Sequence, residues 1–228
     1  MEKKTLLIPK ATWLPLILTL TCNNVAYFGT RLFMSGKEHY NLSNALDAKI
    51  PFLPWTITIY WGCYLFWLVN YIIGCRQEQE EAFRFLGADL FSKMVCFVVF
   101  VVFPTTNTRP TIEGHSIWEE GMRLLYQIDA ADNLLPSIHC LASWLSFIAV
   151  RKNEKIPKWY RVASFLMAAS VCISTLTTKQ HVLVDVAAGV VLGEFSYWFV
   201  GKSGFSKWYM DVMRKLEPKG WGKWAQNK

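Results

Sequence analysis

Apolar stretches long enough to cross a bilayer recur along this chain, and they constrain its fold more than any other feature. They fall at about 11–34, 50–74, 85–103, 134–150, 159–177 and 182–200. A helix needs about 20 mainly apolar residues to span the hydrocarbon layer, and the backbone polar groups there must pair within the segment. Six such segments predict an all-α fold, a polytopic membrane helical bundle with six transmembrane helices. Only 18% of the residues are charged, against about 25% in soluble domains. The eleven Trp suit a chain with two water–lipid boundaries. We read residues 1–228 as one membrane-embedded domain, with a catalytic core at about 85–200 and a basic amphipathic tail at 203–228. In that tail Trp208, Tyr209, Val212, Met213 and Leu216 repeat at helical spacing, the pattern of a helix lying in the headgroup layer.

The net charge is +7. In a soluble protein that value raises the question of nucleic acid. Here the basic residues gather in particular loops and in the tail, where they read as orientation signals and headgroup contacts, so no nucleic-acid partner is expected. The charged residues 1–10 lead into a full-length apolar segment, which is not the pattern of a cleavable signal peptide. With six spans, both termini share a side, and 17 of the 24 Lys and Arg residues fall on it. Cytoplasmic loops carry the excess of positive charge. The termini are therefore expected in the cytoplasm, and the protein in the cell membrane. Of the six Cys residues most lie in apolar segments and none forms a C-x-x-C pair, which supports neither a disulfide framework nor a zinc knuckle.

The same threading brings three polar pieces to the outer end. His181 and Asp185 are four residues apart, which on a helix puts them on one face. The carboxylate can take the imidazole Nδ1–H and leave Nε2 free and basic. Leu135-Pro136-Ser137-Ile138-His139 opens another span, and its first turn offers backbone N–H groups and the positive end of the helix dipole to an anion. Thr108-Arg109-Pro110 closes a third, with a planar guanidinium suited to phosphate, and Lys179 adds a point charge. This set is what phosphoryl transfer requires: His181 to attack phosphorus, Asp185 to orient it, His139 to protonate the leaving oxygen. Arg109, Ser137 and Lys179 would hold the phosphate oxygens. A metal is not expected, because Arg109 and Lys179 would repel a cation at His139, His181 and Asp185; no cofactor is implied.

The order and content of these pieces resemble the type 2 phosphatidic acid phosphatase superfamily. Pro136-Ser137-Ile138-His139 is similar to its P-S-x-H signature, Arg109-Pro110 to the end of its first motif, and His181-x-x-x-Asp185 to the end of its third. The resemblance implies a metal-free lipid phosphatase with a phosphohistidine on His181, acting on a membrane phospholipid or polyprenyl phosphate at the extracytoplasmic face. Two positions depart from the pattern. Val102 stands where the first motif has Lys, and Thr175 where the third has Arg. Lys179 is the nearest replacement, with Lys93 and Arg31 as cations on other spans. The Thr-Lys-Gln-His block resembles the divergent branch near inositol phosphorylceramide synthases. Transfer of a phospho-headgroup to a lipid or sugar alcohol is therefore the alternative to hydrolysis. Oligomeric state has no signature in the sequence.

Overall fold

The computed structural model describes residues 6–34 and 36–216. The first apolar segment is a helix of changing pitch. A 3-10 turn at Lys10–Thr12 leads into α1 (Trp13–Asn24), a π-helical stretch follows at Val25–Gly29, and α2 (Thr30–Met34) ends the run. The polar connector then holds a two-residue strand, β1 (Tyr40–Asn41), and a short helix, α3 (Ala45–Lys49), closed by a reciprocal Asn44–Asp47 capping box. A 3-10 turn at Pro54–Thr56 opens α4 (Ile57–Cys75), with proline at the helix start, where its missing N–H costs nothing. Next come α5 (Gln79–Val102), β2 (Thr105–Thr106) and the surface helix α6 (Ile117–Ile128). The chain closes with α7 (Ile138–Arg151), α8 (Lys158–Thr177), α9 (Leu183–Lys202) and α10 (Phe205–Leu216).

Among the described residues, four helices are long and apolar enough to cross a membrane: α4 with its opening turn, α5, α8 and α9. Six were expected. The segment at 11–34 is divided by its change of pitch, and α7 has only 14 residues. Residues 134–137, expected to be helical, form an irregular entry with a cis Leu135–Pro136 bond, and Ser137 caps the helix. The nearby Asp129, Asp132 and Asn133 do not cap it: the two carboxylates pair with Arg31 and Asn133 bonds to Thr30.

The shorter α7 is the central helix. It packs against α4, α8 and α9 and also touches α5, and Cys140, Leu141, Leu145, Ile148 and Val150 are buried around its circumference. A helix apolar on all sides has to be enclosed. Its approach to α9 is closest at Gly189, where an added methyl would lie 2.6 Å from the Ser137 carbonyl oxygen. That gap brings the two backbones together: the Ser137 N–H donates to the Asp185 carbonyl at 3.1 Å.

The two ends of the bundle differ. At the end where α5 begins and α7 and α9 finish, Arg151 grips Glu194 with 2.5 and 2.9 Å bonds, and the Arg84 guanidinium lies over the Tyr197 ring. The α10 helix does more than float at this surface. Tyr209 and Met213 are buried in the main core, while Trp208 and Leu216 stay exposed; the tail beyond Leu216 lies outside the described residues. At the opposite end β1 pairs in parallel with β2. There Thr105 Oγ1 accepts from Leu134 and Leu135 N–H groups, and Asn133 donates to Thr30 Oγ1. These side-chain bonds hold the irregular entry to α7 in one shape.

Candidate active site

His139 and His181 arrive at the opposite end, one from a helix and one from a turn, and their ring centroids stand 6.0 Å apart. His139 occupies the first turn of α7. His181 is in the short turn between α8 and α9, where its N–H and that of Gln180 both donate to the Thr175 carbonyl. Asp185 lies one turn along. Its Oδ2 accepts the Val182 N–H at 3.0 Å, fixing the carboxylate at the start of α9, and stands 3.4 Å from His181 Nδ1. At that separation the contact is long for a hydrogen bond, and Nδ1 has no other acceptor among the described residues; hydrogen bonding and charge from the same carboxylate both favour the imidazolium. Burial pushes the His181 imidazolium down, but the Asp185 carboxylate more than offsets it, so its pKa lies above the ordinary 6.5.

His139 has partners of its own. Its Nδ1 stands 3.3 Å from the Tyr60 hydroxyl, and Tyr60 donates to Asp129 Oδ2 at 3.1 Å. A phenol has one proton to give. With that proton directed at Asp129, the Tyr60 oxygen accepts from His139 Nδ1–H, and Nε2 has the Tyr64 hydroxyl at 3.5 Å. Asp129 also accepts from Tyr27 and pairs with Arg31 at 3.3 Å, while Arg31 Nε donates to Asp132 at 2.7 Å. Burial pushes the Asp129 carboxyl up, yet it sits below its usual range because His139, the Tyr27 hydroxyl and the Arg109 guanidinium favour the anion. Tyr64 and Trp67 complete an aromatic collar around His139, with ring centroids at 6.2 and 5.6 Å.

Beside His181 a cavity of about 530 Å³ opens between α3, the residues after β2 and the α8–α9 turn. Arg109, Lys179 and His181 all line it. Arg109 is held in place by a 2.6 Å bond to the Asp129 carbonyl, a 2.5 Å bond to Gln180 Oε1 and the Tyr126 ring beneath it. Lys179 has φ 54°, the left-handed region that a residue with a side chain rarely enters. Its ammonium donates to the carbonyls of Asp47 and Ile50 at 2.9 and 2.6 Å. Asp47 in turn accepts the Leu183 N–H at 2.8 Å. The 44–50 loop is thus pinned across the cavity from the same turn that carries His181. Burial lowers the Lys179 pKa.

Of the six residues singled out from the sequence, His181, Asp185, His139, Arg109 and Lys179 gather here. Ser137 is adjacent but fully buried. Its hydroxyl accepts the Cys140 N–H at 3.2 Å and its own N–H is taken by Asp185, so it joins the two helices and does not line the cavity. Lys93 and Arg31 do not reach the cavity either: Lys93 pairs with Asp89 in the interior of α5, and Arg31 is occupied by Asp129 and Asp132. Sequence reasoning missed Tyr60, Asp129 and Gln180. No curated protein and no solved structure matches the chain. A family model described as PAP2 superfamily matches residues 36–199, and the chain belongs to that superfamily, whose members are phosphatases or phosphotransferases acting on phosphate esters.

Proposed function

We propose that this protein is a membrane lipid phosphatase that hydrolyses a phosphomonoester or pyrophosphate of a lipid through a phosphohistidine on His181. The observation that carries the reading is the 6.0 Å approach of the two imidazoles beside a cavity lined by Arg109 and Lys179. In the first step His181 Nε2 attacks phosphorus and the bond to the lipid oxygen breaks. His139 gives its Nε2 proton to that oxygen, and the Asp129 carboxylate stabilises the imidazolium through Tyr60 before the proton leaves. In the second step water attacks the phosphohistidine, His139 takes a proton from it, and inorganic phosphate departs. Arg109 and Lys179 offset the charge on the equatorial oxygens, where preorganised donors contribute most. Asp185 positions His181 and stabilises the positive charge it acquires.

The segment at 11–34 and α7 complete a six-span topology in this reading, since both are apolar, α7 lies within the main core and Leu14, Leu16, Cys22 and Tyr27 of the first segment pack against it. The termini then lie in the cytoplasm and the site faces outward at the cell membrane. The test is phosphate release. Purified protein in detergent, with EDTA present, should free phosphate from lipid phosphates, and His181→Ala should lose roughly 10⁴-fold or more. Intact cells given a membrane-impermeant phosphate ester should hydrolyse it without permeabilisation. Equal rates for wild type and His181→Ala would remove the phosphohistidine, and activity only after permeabilisation would reverse the orientation.

A further inference from the structure

A second cavity, of about 270 Å³, lies inside the bundle between α1, α4, α5 and α7. Most of its wall is apolar, as expected at membrane depth. Its floor is not: Asp89 and Lys93 line it with only 1% and 2% of their surface exposed. They stand 3.5 Å apart, and Tyr71 donates to Asp89 Oδ2 at 2.7 Å. Lys93 Nζ has no hydrogen-bond acceptor among the described residues, and neither does Asp89 Oδ1 have a donor. Ionised groups within a span are costly and call for partners, and an ammonium has three N–H groups to satisfy. The helical i,i+4 contact uses only the direction along α5 and leaves the face toward the cavity without an acceptor.

The cavity begins at the candidate active site. Tyr64 and Trp67, which form the collar of His139, are also its walls. Tyr64 and Tyr71 are seven residues apart on α4, about 10 Å along a helix axis. A lipid with its phosphate at the histidines and a chain in this cavity would pass the collar and bring the atoms that link headgroup to chain level with the ion pair. Leu20, Tyr64 and Leu68, each about half exposed or more, border the cavity, so a second chain can stay in the bilayer.

We propose that Lys93, braced by Asp89 and Tyr71, is a specificity subsite that takes the carbonyl of an acyl linkage in the lipid substrate. This rests on the lipid-phosphatase reading and narrows it to acyl lipids, ester or amide, in preference to polyprenyl phosphates, whose hydrocarbon has no acceptor. The ammonium supplies the donor, and an ester or amide carbonyl is the neutral acceptor that can enter an apolar cavity at least cost.

The experiment compares diacyl phosphatidic acid with its dialkyl ether analogue and with a polyprenyl phosphate in mixed micelles. Wild type should favour the diacyl lipid in kcat/KM by roughly tenfold or more over the ether, the value of a hydrogen bond to a charged group. The double variant Asp89→Asn/Lys93→Met removes both charges together, so neither is left buried alone. It should bring the diacyl-to-ether ratio of kcat/KM down to about one. Binding gives an independent readout in His181→Ala: quenching of Trp67 should be stronger for the diacyl lipid. Equal hydrolysis and equal binding of diacyl and ether lipids by unaltered protein would overturn the subsite yet leave the phosphatase standing. A preference for the polyprenyl phosphate would overturn it too. Phosphate released from none of the three would end both readings.

Discussion

His181 faces the Asp185 carboxylate at 3.4 Å, and that has a consequence for pH. A nucleophilic imidazole must be neutral, and burial alone would help by disfavouring its cation. The carboxylate wins, so the folded-state pKa lies above 6.5. Activity should therefore rise with pH along a limb centred above 6.5. Stability runs the other way: this pair's contribution is fully present below 6.5 and lost as pH rises through the folded value. In Asp185→Asn the limb should move to lower pH and kcat should fall by roughly tenfold to a hundredfold, as expected when a hydrogen bond or charge contact to an ionised group is lost. The pH profile of kcat/KM checks this, and an unmoved limb would assign the shift to something else. The pair was legible in the sequence because a helix puts residues four apart on one face. The partners of His139 were not. Tyr60 sits in an apolar segment and Asp129 just past a surface helix, and no fixed spacing relates either to position 139. The available signal was weaker: a tyrosine among apolar residues, an arginine at the end of the first segment, and an acid cluster near the outer rim.

At the scale of elements, the helices were readable and some of their ends were not. The apolar runs predicted α8 and α9 to within two residues at each end and α4 and α5 at their far ends, with starts six or seven residues off, because lipid permits little other than helix there. The start of α7 shifted to Ile138 because residues 133–135 are held by Thr30, Thr105 and Tyr27, contacts that come from other segments. The π-helical stretch at Val25–Gly29 was likewise invisible, since a change of pitch leaves no mark on composition. Gly189 and Gly193 are four residues apart on α9, the spacing of a small-residue packing face, and both meet α7. A side chain at Gly189 meets the backbone of Ser137, which cannot yield without moving His139. Gly189→Val should therefore lower stability by about 1–3 kcal/mol, the usual cost of overpacking, and should depress kcat far more than KM. Gly193 faces flexible side chains, so Gly193→Ala should be mild in both. Thermal unfolding and phosphate-release kinetics on the pair of variants separate the two.

At the scale of the molecule, two cavities flank the histidine pair: one, lined by His181, carries the cations that suit a phosphate, and the other, walled by the Tyr64 and Trp67 rings that contact His139, carries the apolar surface that suits a chain. Charge counting suggested which end would face outward, but it could not show that Lys93 belongs to the second cavity and not to the phosphate. Interior position along a helix is periodic and readable; which void a buried side chain borders depends on four helices at once.

The contact at Gly189 has a further consequence. The reactive gap is set where two main chains touch, so it behaves as a pivot. Hydrophobic mismatch makes transmembrane helices tilt at a cost of fractions of a kcal/mol per Å, and such tilting swings the far ends of α7 and α9 while scarcely altering their crossing point. Turnover in vesicles should thus stay nearly flat from short-chain to long-chain host lipids. In Gly189→Val, with the pivot wedged apart, it should become strongly dependent on membrane thickness.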